Sequence, residues 1–381
     1  MKNAFLTFAF AAALLSPLQA EPENRIVLTI EPTAQNPRNT EGAFMELKSG
    51  RIIFLYSQFY RGVSDFSHAH IAEIDSDDQG RTWSAPRVVI ENGDNLNVMS
   101  VSLLRLQDGR LALFYAVKKN AFDCRPAMRV STDEGATWSA PRPMIEPPGY
   151  FVLNNDRVIQ TRTGRLIAPV ALHRPLAATF RGPDSIDSHG IVLWYYSDDA
   201  GLTWKQSPTW WALPVVSTSG LQEPGVVELA NGSLFSWSRT DVGCQYGFRS
   251  QDGGTTWSPP ELTELKSPLS PASIKRLPHS STLLALYDDH SGRFIYGPHR
   301  APLVAALSTD GGRTWPRRRL LDDNAEHNGW YCYTATWYAG DTVLLAYWVY
   351  DAKMTPEYLK NGRPSRLRLR RVALSWFAGA Q

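Results

Sequence analysis

Two side chains that could act on one another stand in the stretch from Leu221 to Trp257. Glu223 precedes the apolar run Val226-Val227-Glu228-Leu229, the chain turns at Asn231-Gly232, and Ser233-Leu-Phe-Ser-Trp-Ser delivers Arg239. Asn-Gly between two strand-like segments is a strong hairpin signal, because both residues accept the left-handed backbone of a tight turn. The hairpin sets a carboxylate beside a guanidinium at one edge of a sheet. Such a pair is a structural ion bridge or half of a polar site, and one hairpin leaves both open. Tyr331-Cys332-Tyr333 offers two phenols that alternate onto one strand face, each either core or nucleophile. His68 and His70 hint at metal, but with no third ligand nearby the reading includes neither metal nor cofactor. Asn154-Asn155-Asp156-Arg157 is an unusually polar entry to a strand and carries no role in this reading.

The elements that must position these groups repeat along the chain. Hairpin turns entering strands occur at Gly50-Arg-Ile-Ile-Phe-Leu-Tyr, Gly109-Arg-Leu-Ala-Leu-Phe-Tyr, Gly164-Arg-Leu-Ile-Ala-Pro-Val and Gly232-Ser-Leu-Phe-Ser-Trp. Ser281-Thr-Leu-Leu-Ala-Leu-Tyr and Asp341-Thr-Val-Leu-Leu-Ala-Tyr continue the series. After each of the first five comes Ser-x-Asp-x-Gly-x-Thr-Trp, at Ser76–Trp83, Ser131–Trp138, Ser197–Trp204, Ser250–Trp257 and Ser308–Trp315. This pattern reads as a β-turn: Ser and Asp bond nearby backbone donors, Gly takes positive φ, and Trp packs beneath. Units of about fifty residues, each with four strand-like segments, predict an all-β, six-bladed β-propeller. The sixth unit ends in Arg366-Leu-Arg-Leu-Arg-Arg-Val-Ala-Leu-Ser-Trp, and Arg25-Ile-Val-Leu-Thr-Ile near the N-terminus can pair into it and close the ring.

Composition agrees with this class and excludes others. The 381 residues include 13 Trp and 26 Pro, aromatics and turn formers that suit a large β protein. A net charge of +2 supports neither nucleic-acid nor membrane binding as a general role. Residues 1–20 read as a secretory signal peptide: Lys2, an apolar run Ala4–Leu15, and a small-residue cleavage site at Leu18-Gln19-Ala20. The expected mature protein is therefore one domain, residues 21–381, periplasmic or secreted, without a membrane span, and a monomer. Cys124, Cys244 and Cys332 match neither a zinc site nor a disulfide framework and are expected in the core.

The repeated turn is the Asp-box, and the whole mature chain resembles the bacterial sialidase (neuraminidase) superfamily. The resemblance rests on Glu223, the Val-Val-Glu-Leu run and Arg239 sixteen positions on, before the fourth Asp-box. It implies that Glu223 is the base for a tyrosine nucleophile, with Tyr333 or Tyr331 in that role at the start of the sixth blade. Asp65, in the loop after the second strand, would be the acid/base residue. Arg38, Arg239 and Arg300 would form a triad for a carboxylate, with Arg61 and Glu41 also at the substrate. The Asp-box aspartates lie on the outer rim in this family and are kept out of the site. Arg38-Asn-Thr-Glu41 departs from the family's usual Arg-Ile-Pro, and Glu41 beside the pocket would repel an acidic substrate unless an arginine neutralises it.

The chemistry behind that assignment is specific. A sialoside carries a carboxylate on its anomeric carbon; three guanidinium forks can hold it, and a neutral phenol approaches it where a carboxylate nucleophile would be repelled. The expected activity is a retaining, exo-acting glycoside hydrolase without cofactor, acting on a glycan with an acidic terminal sugar. A lyase or glycosidase acting on uronate-containing chains, and a non-catalytic glycan-binding propeller, fit the same scaffold.

Overall fold

The computed structural model describes residues 22–294, 300–323, 330–350 and 365–379. The expected leader and the segment just before Arg300 lie outside these residues. Among the described residues, regular structure is all β apart from a 3-10 turn at Pro183–Ser185 and a short helix at Leu374–Ala378. No helix among the described residues is long and apolar enough to cross a membrane.

The strands run in consecutive antiparallel meanders. The first strands of successive meanders are Arg38–Glu46, Asn97–Arg105, the split pair Tyr150–Val152 and Ile159–Gln160, Gln222–Glu228, Ser273–Arg276 and Trp330–Ala339. Among the described residues they form five sheets, since a parallel contact of Tyr150 with Cys124 joins the second and third meanders into nine strands. Asn24–Ile30 pairs antiparallel with Arg366–Ala373 and supplies the outer strand of the last sheet, so the first and last strands of the described chain lie side by side in it.

The core lies between meanders. Strands such as Leu283–Asp288 and Leu303–Ser308 are buried along their whole length, which explains why they read as continuous apolar runs. Their side chains form seams with the neighbouring sheet: Leu286 and Ala305 pack with Tyr331 and Leu345, and Phe44 and Phe54 with Leu344 and Leu369. Each Asp-box turn leans on the preceding meander. A Cβ on Gly201 would stand 2.2 Å from Met128 Sδ, and one on Gly80 would stand 2.7 Å from Leu344 of the last meander.

The Asp-boxes are built as their sequence requires. Ser76 Oγ donates to Asp78 Oδ1 at 2.8 Å and accepts from the Gly80 amide at 2.8 Å; Asp78 accepts from the amide and hydroxyl of Thr82 at 2.8 and 2.7 Å. Ser250, Asp252, Gly254 and Thr256 repeat the pattern, with Trp257 Nε1 donating to the Gly254 carbonyl. These bonds are local, close each turn on itself, and keep the aspartates away from the pocket described next.

Candidate active site

Four of the first strands break their ladder at one point. The register shifts between Thr40 and Ala43, Met99 and Ser102, Gln222 and Gly225, and Cys332 and Ala335. At each break one residue takes a left-handed backbone: Glu41 (φ 51°), Ser100 (63°), Glu223 (45°) and Tyr333 (59°). A bulge of this kind re-aims a side chain out of the sheet's alternation. All four line one pocket with a cavity volume of about 210 Å³, along with Asp65, Lys118, Asn154, His173, Gln222 and Arg239. Gly42 and Gly225 follow two of the bulges for a steric reason: a Cβ there would stand 2.2 Å from the Phe54 or Trp237 ring.

The chain of polar contacts is short. The Tyr333 hydroxyl donates to Glu223 Oε1 at 3.2 Å. Glu223 Oε2 lies 2.9 Å from Arg239 Nη1, an ion pair without an aligned hydrogen bond, while Arg239 donates to Gln222 Oε1 at 2.6 and 3.0 Å. Across the pocket Arg38 bridges two carboxylates, Asp65 at 2.6 Å and Glu41 at 3.0 Å. Glu41 also accepts from Ser100 Oγ. Lys118 Nζ donates to the Asp65 carbonyl at 2.6 Å, between the rings of Phe66 and Tyr150.

The environment divides the carboxyls. Burial pushes Glu41 up to about 7 against the pull of Arg38. Desolvation also pushes Asp65 up, but Arg38 and then Lys118 outweigh it and hold that carboxyl down at about 2. The Asp65 side chain is 57% exposed at the mouth, whereas that of Glu41 is 4% exposed on the floor. Burial, then the negative Glu223, raise the Tyr333 phenol well above the ordinary tyrosine value. Burial lowers His173, whose Nδ1 lies 2.8 Å from the Asp187 carbonyl oxygen.

The structure thus gathers Glu41, Asp65, Glu223, Arg239 and Tyr333 on one pocket, with Arg38 behind the first two. Arg300 stands outside the pocket lining but within electrostatic reach of Glu223 and Tyr333, its guanidinium near Cys332 and over the Trp330 ring at 5.3 Å. Two candidates lie elsewhere. Arg61 sits on the exposed loop, its guanidinium 5.9 Å from the Tyr60 ring. Tyr331 is fully buried and donates to Asp322 Oδ1 at 2.8 Å. The expectation that both tyrosines share a face fails because the Cys332–Ala335 bulge breaks the alternation between them.

Sequence reasoning missed Ser100, Lys118, Asn154, His173 and Gln222. The available signal was a polar residue interrupting an apolar strand, as Ser100 does between Met99 and Val101. Cys124, Cys244 and Cys332 are free and buried; Cys124 also lines the pocket. His68 and His70 stand at the start of the strand His68–Ser76. They stack on Tyr60, and His70 bonds Gln58 at 2.9 Å.

The BNR repeat-like domain model matches residues 92–345, about two thirds of the chain. This chain belongs to the BNR repeat-like domain family. The match, with the relatives below, places it in the bacterial sialidase superfamily. A sialidase of Bacteroides fragilis is 27% identical over 221 residues, 53% of this chain and 36% of that protein. An anhydrosialidase of Macrobdella decora is 29% identical over 168 residues, 40% of this chain and 19% of that one. The chain therefore spans about a third or less of the curated relatives it matches. The solved intramolecular trans-sialidase from Ruminococcus gnavus superposes with a TM-score of 0.69 at 17% identity, over 92% of this chain and 97% of that one, a likeness of fold.

Proposed function

We propose that this protein is a retaining, exo-acting glycoside hydrolase that releases a terminal sialic acid, or a related acidic sugar, from glycans. The observation that carries this reading is the contact of Tyr333 with Glu223, itself paired with Arg239, on a pocket that Asp65 faces from the mouth. The reading includes a single six-bladed propeller over residues 21–381, supported by the meanders whose seams run from each to the next and from the last to the first. It also includes export, with residues 1–20 as the leader.

In this mechanism the sugar's carboxylate is held by Arg239, with Arg300 adding its charge from behind the pocket wall, and by Arg38 once the anion displaces Asp65 from it. Ionising a phenol at neutral pH costs about 4 kcal/mol from its ordinary pKa, and burial raises that cost at Tyr333. Free phenolate is therefore not the nucleophile's resting form. Glu223 takes the proton as the phenol oxygen bonds to the anomeric carbon. Asp65, once released from Arg38, takes up a proton from solvent, gives it to the departing oxygen, and afterwards accepts one from the attacking water.

The Ruminococcus gnavus neighbour carries a name that denotes intramolecular transfer, in which a hydroxyl of the sugar itself would take the place of water. The exposure of Asp65 leaves water a path to the glycosyl-enzyme and favours hydrolysis. The test is an α-sialoside assay with product mass. Free sugar supports the hydrolase, and a product one water lighter supports transfer. No release from sialosides, with unsaturated products from uronate chains, overturns the reading.

A further inference from the structure

The polar turn Asn154–Arg157 does not enter that mechanism, yet three of its residues are almost wholly buried: Asn154 and Asn155 at 1% exposure and Arg157 at 3%. Burying consecutive polar side chains is costly unless they bond to something that needs them. Asn155 Nδ2 donates to two carbonyls, Gly42 at 2.9 Å and Tyr333 at 3.1 Å. Asp156, itself left-handed at φ 57°, accepts from the Thr336 amide at 3.1 Å and from Lys275 Nζ at 2.8 Å. Its own amide donates to the Val101 carbonyl at 2.9 Å. The turn thereby ties together five of the meanders around the pocket floor.

One of the two bonds to the last meander falls on the Tyr333 bulge itself, and the other on Thr336, just past the point where the ladder resumes at Ala335. Tyr333 occupies a backbone region that is unfavourable for a non-glycine residue, and a bulge leaves its extra residue unpaired in the ladder. Asn155 takes the Tyr333 carbonyl and Asp156 the Thr336 amide. At the Glu41 bulge the corresponding carbonyl is instead taken by Ser57 Oγ, at 3.2 Å on the adjacent strand. Ser57 faces Thr40 there, and the residue facing Cys332 in the same register is Trp348, whose indole nitrogen makes no such bond. At the position facing this bulge the sheet offers Trp348 and not a hydroxyl, and among the described residues it is Asn155 of the third meander that takes the Tyr333 carbonyl.

We propose that Asn155 and Asp156 are positioning residues for Tyr333, holding its bulge so that the phenol meets Glu223. The proposal rests on Tyr333 being the nucleophile, but its test separates the two. Asn155→Asp is isosteric and removes both donations; Asp156→Ala removes the acceptor at Thr336, and Asp156→Asn keeps one. Amide hydrogen exchange at Thr336 needs no turnover: it should quicken in Asp156→Ala and stay near wild type in Asp156→Asn. Covalent labelling of Tyr333 by a fluorinated sialic acid inactivator should slow roughly 100-fold in Asn155→Asp. Affinity for an unsaturated sialic acid analogue, a competitive probe, should hold within about threefold. Labelling of Tyr333 at the wild-type rate in Asn155→Asp, or wild-type exchange at Thr336 in Asp156→Ala, overturns the proposal. If wild type itself is not labelled on Tyr333, the functional reading fails, and the exchange measurement still decides whether the turn holds the bulge. Should Asn155→Asp not fold, the Asp156 pair carries the decision alone.

Discussion

Glu223 is the group whose replacement separates chemistry from architecture. Glu223→Gln keeps size and a hydrogen-bonding oxygen but cannot accept the proton of Tyr333, so kcat should fall roughly 10²–10⁴-fold on every substrate. Asp65→Asn should cripple natural glycosides and spare substrates whose leaving groups need no proton; equal losses on both would remove Asp65 from the acid role. Tyr331→Phe gives the opposite profile. Its hydroxyl serves half-buried Asp322, which Tyr347 and Arg368 also bond at 2.8 Å, so stability should drop by about 1 kcal/mol with kinetics unchanged. Glu41 governs a pH effect. Its carboxyl holds a proton in the folded state up to about pH 7, while the unfolded chain releases it near the ordinary value of 4.5. The folded state then binds more protons, so this contribution to stability is full below 4.5 and lost as pH rises through 7. Melting curves from about pH 4.5 to 8 should show wild type losing up to about 3 kcal/mol more than Glu41→Gln. A parallel pair of curves would mean that Arg38 keeps Glu41 ionised throughout.

The Asp-box turns and the bulged strands work at the scale of elements, and they answer differently to mutation. Asp252 accepts only from its own turn, so Asp252→Ala should cost about 1–2 kcal/mol in thermal stability. Kinetics of the surviving folded enzyme should stay intact, and a large fall in kcat at wild-type stability would place that turn in the site. The bulges have no such separation of roles. Each one supplies the pocket with a side chain by breaking strand alternation, so a change that repairs the ladder also removes the group. The hairpin that brings Glu223 near Arg239 was legible in sequence because its turn at Asn231-Gly232 is local, but the bulge that sets Gln222 opposite Arg239 and re-aims Glu223 was not. The choice between Tyr331 and Tyr333 was not, since the insertion that separates their faces has no mark in Tyr-Cys-Tyr-Thr itself.

Across the whole molecule the decisive contact joins the described chain's two ends. Asn24–Ile30 pairs with Arg366–Ala373, and Val27, Leu28 and Ile30 pack against the seam that holds Phe44 and Leu369. Deleting residues 22–30 should expose the edge of that strand and lower Tm by on the order of 10 °C. An unchanged melting temperature would show that the last sheet does not need its N-terminal strand.

What the sequence by itself determined was everything carried by short-range chemistry. The Asp-box turns close on residues four apart, the hairpins on adjacent strands, and the repeat of both names an all-β chain of meanders. Tertiary structure decided which polar groups meet. Arg38 could be placed in sequence, but not that Asp65 and Glu41 already occupy it. Asn155 and Asp156 could be seen as odd, but their partners Tyr333 and Thr336 stand some 180 positions away. Such contacts arise only when separate meanders are packed side by side, where a buried backbone group must find a partner on whichever strand lies within reach.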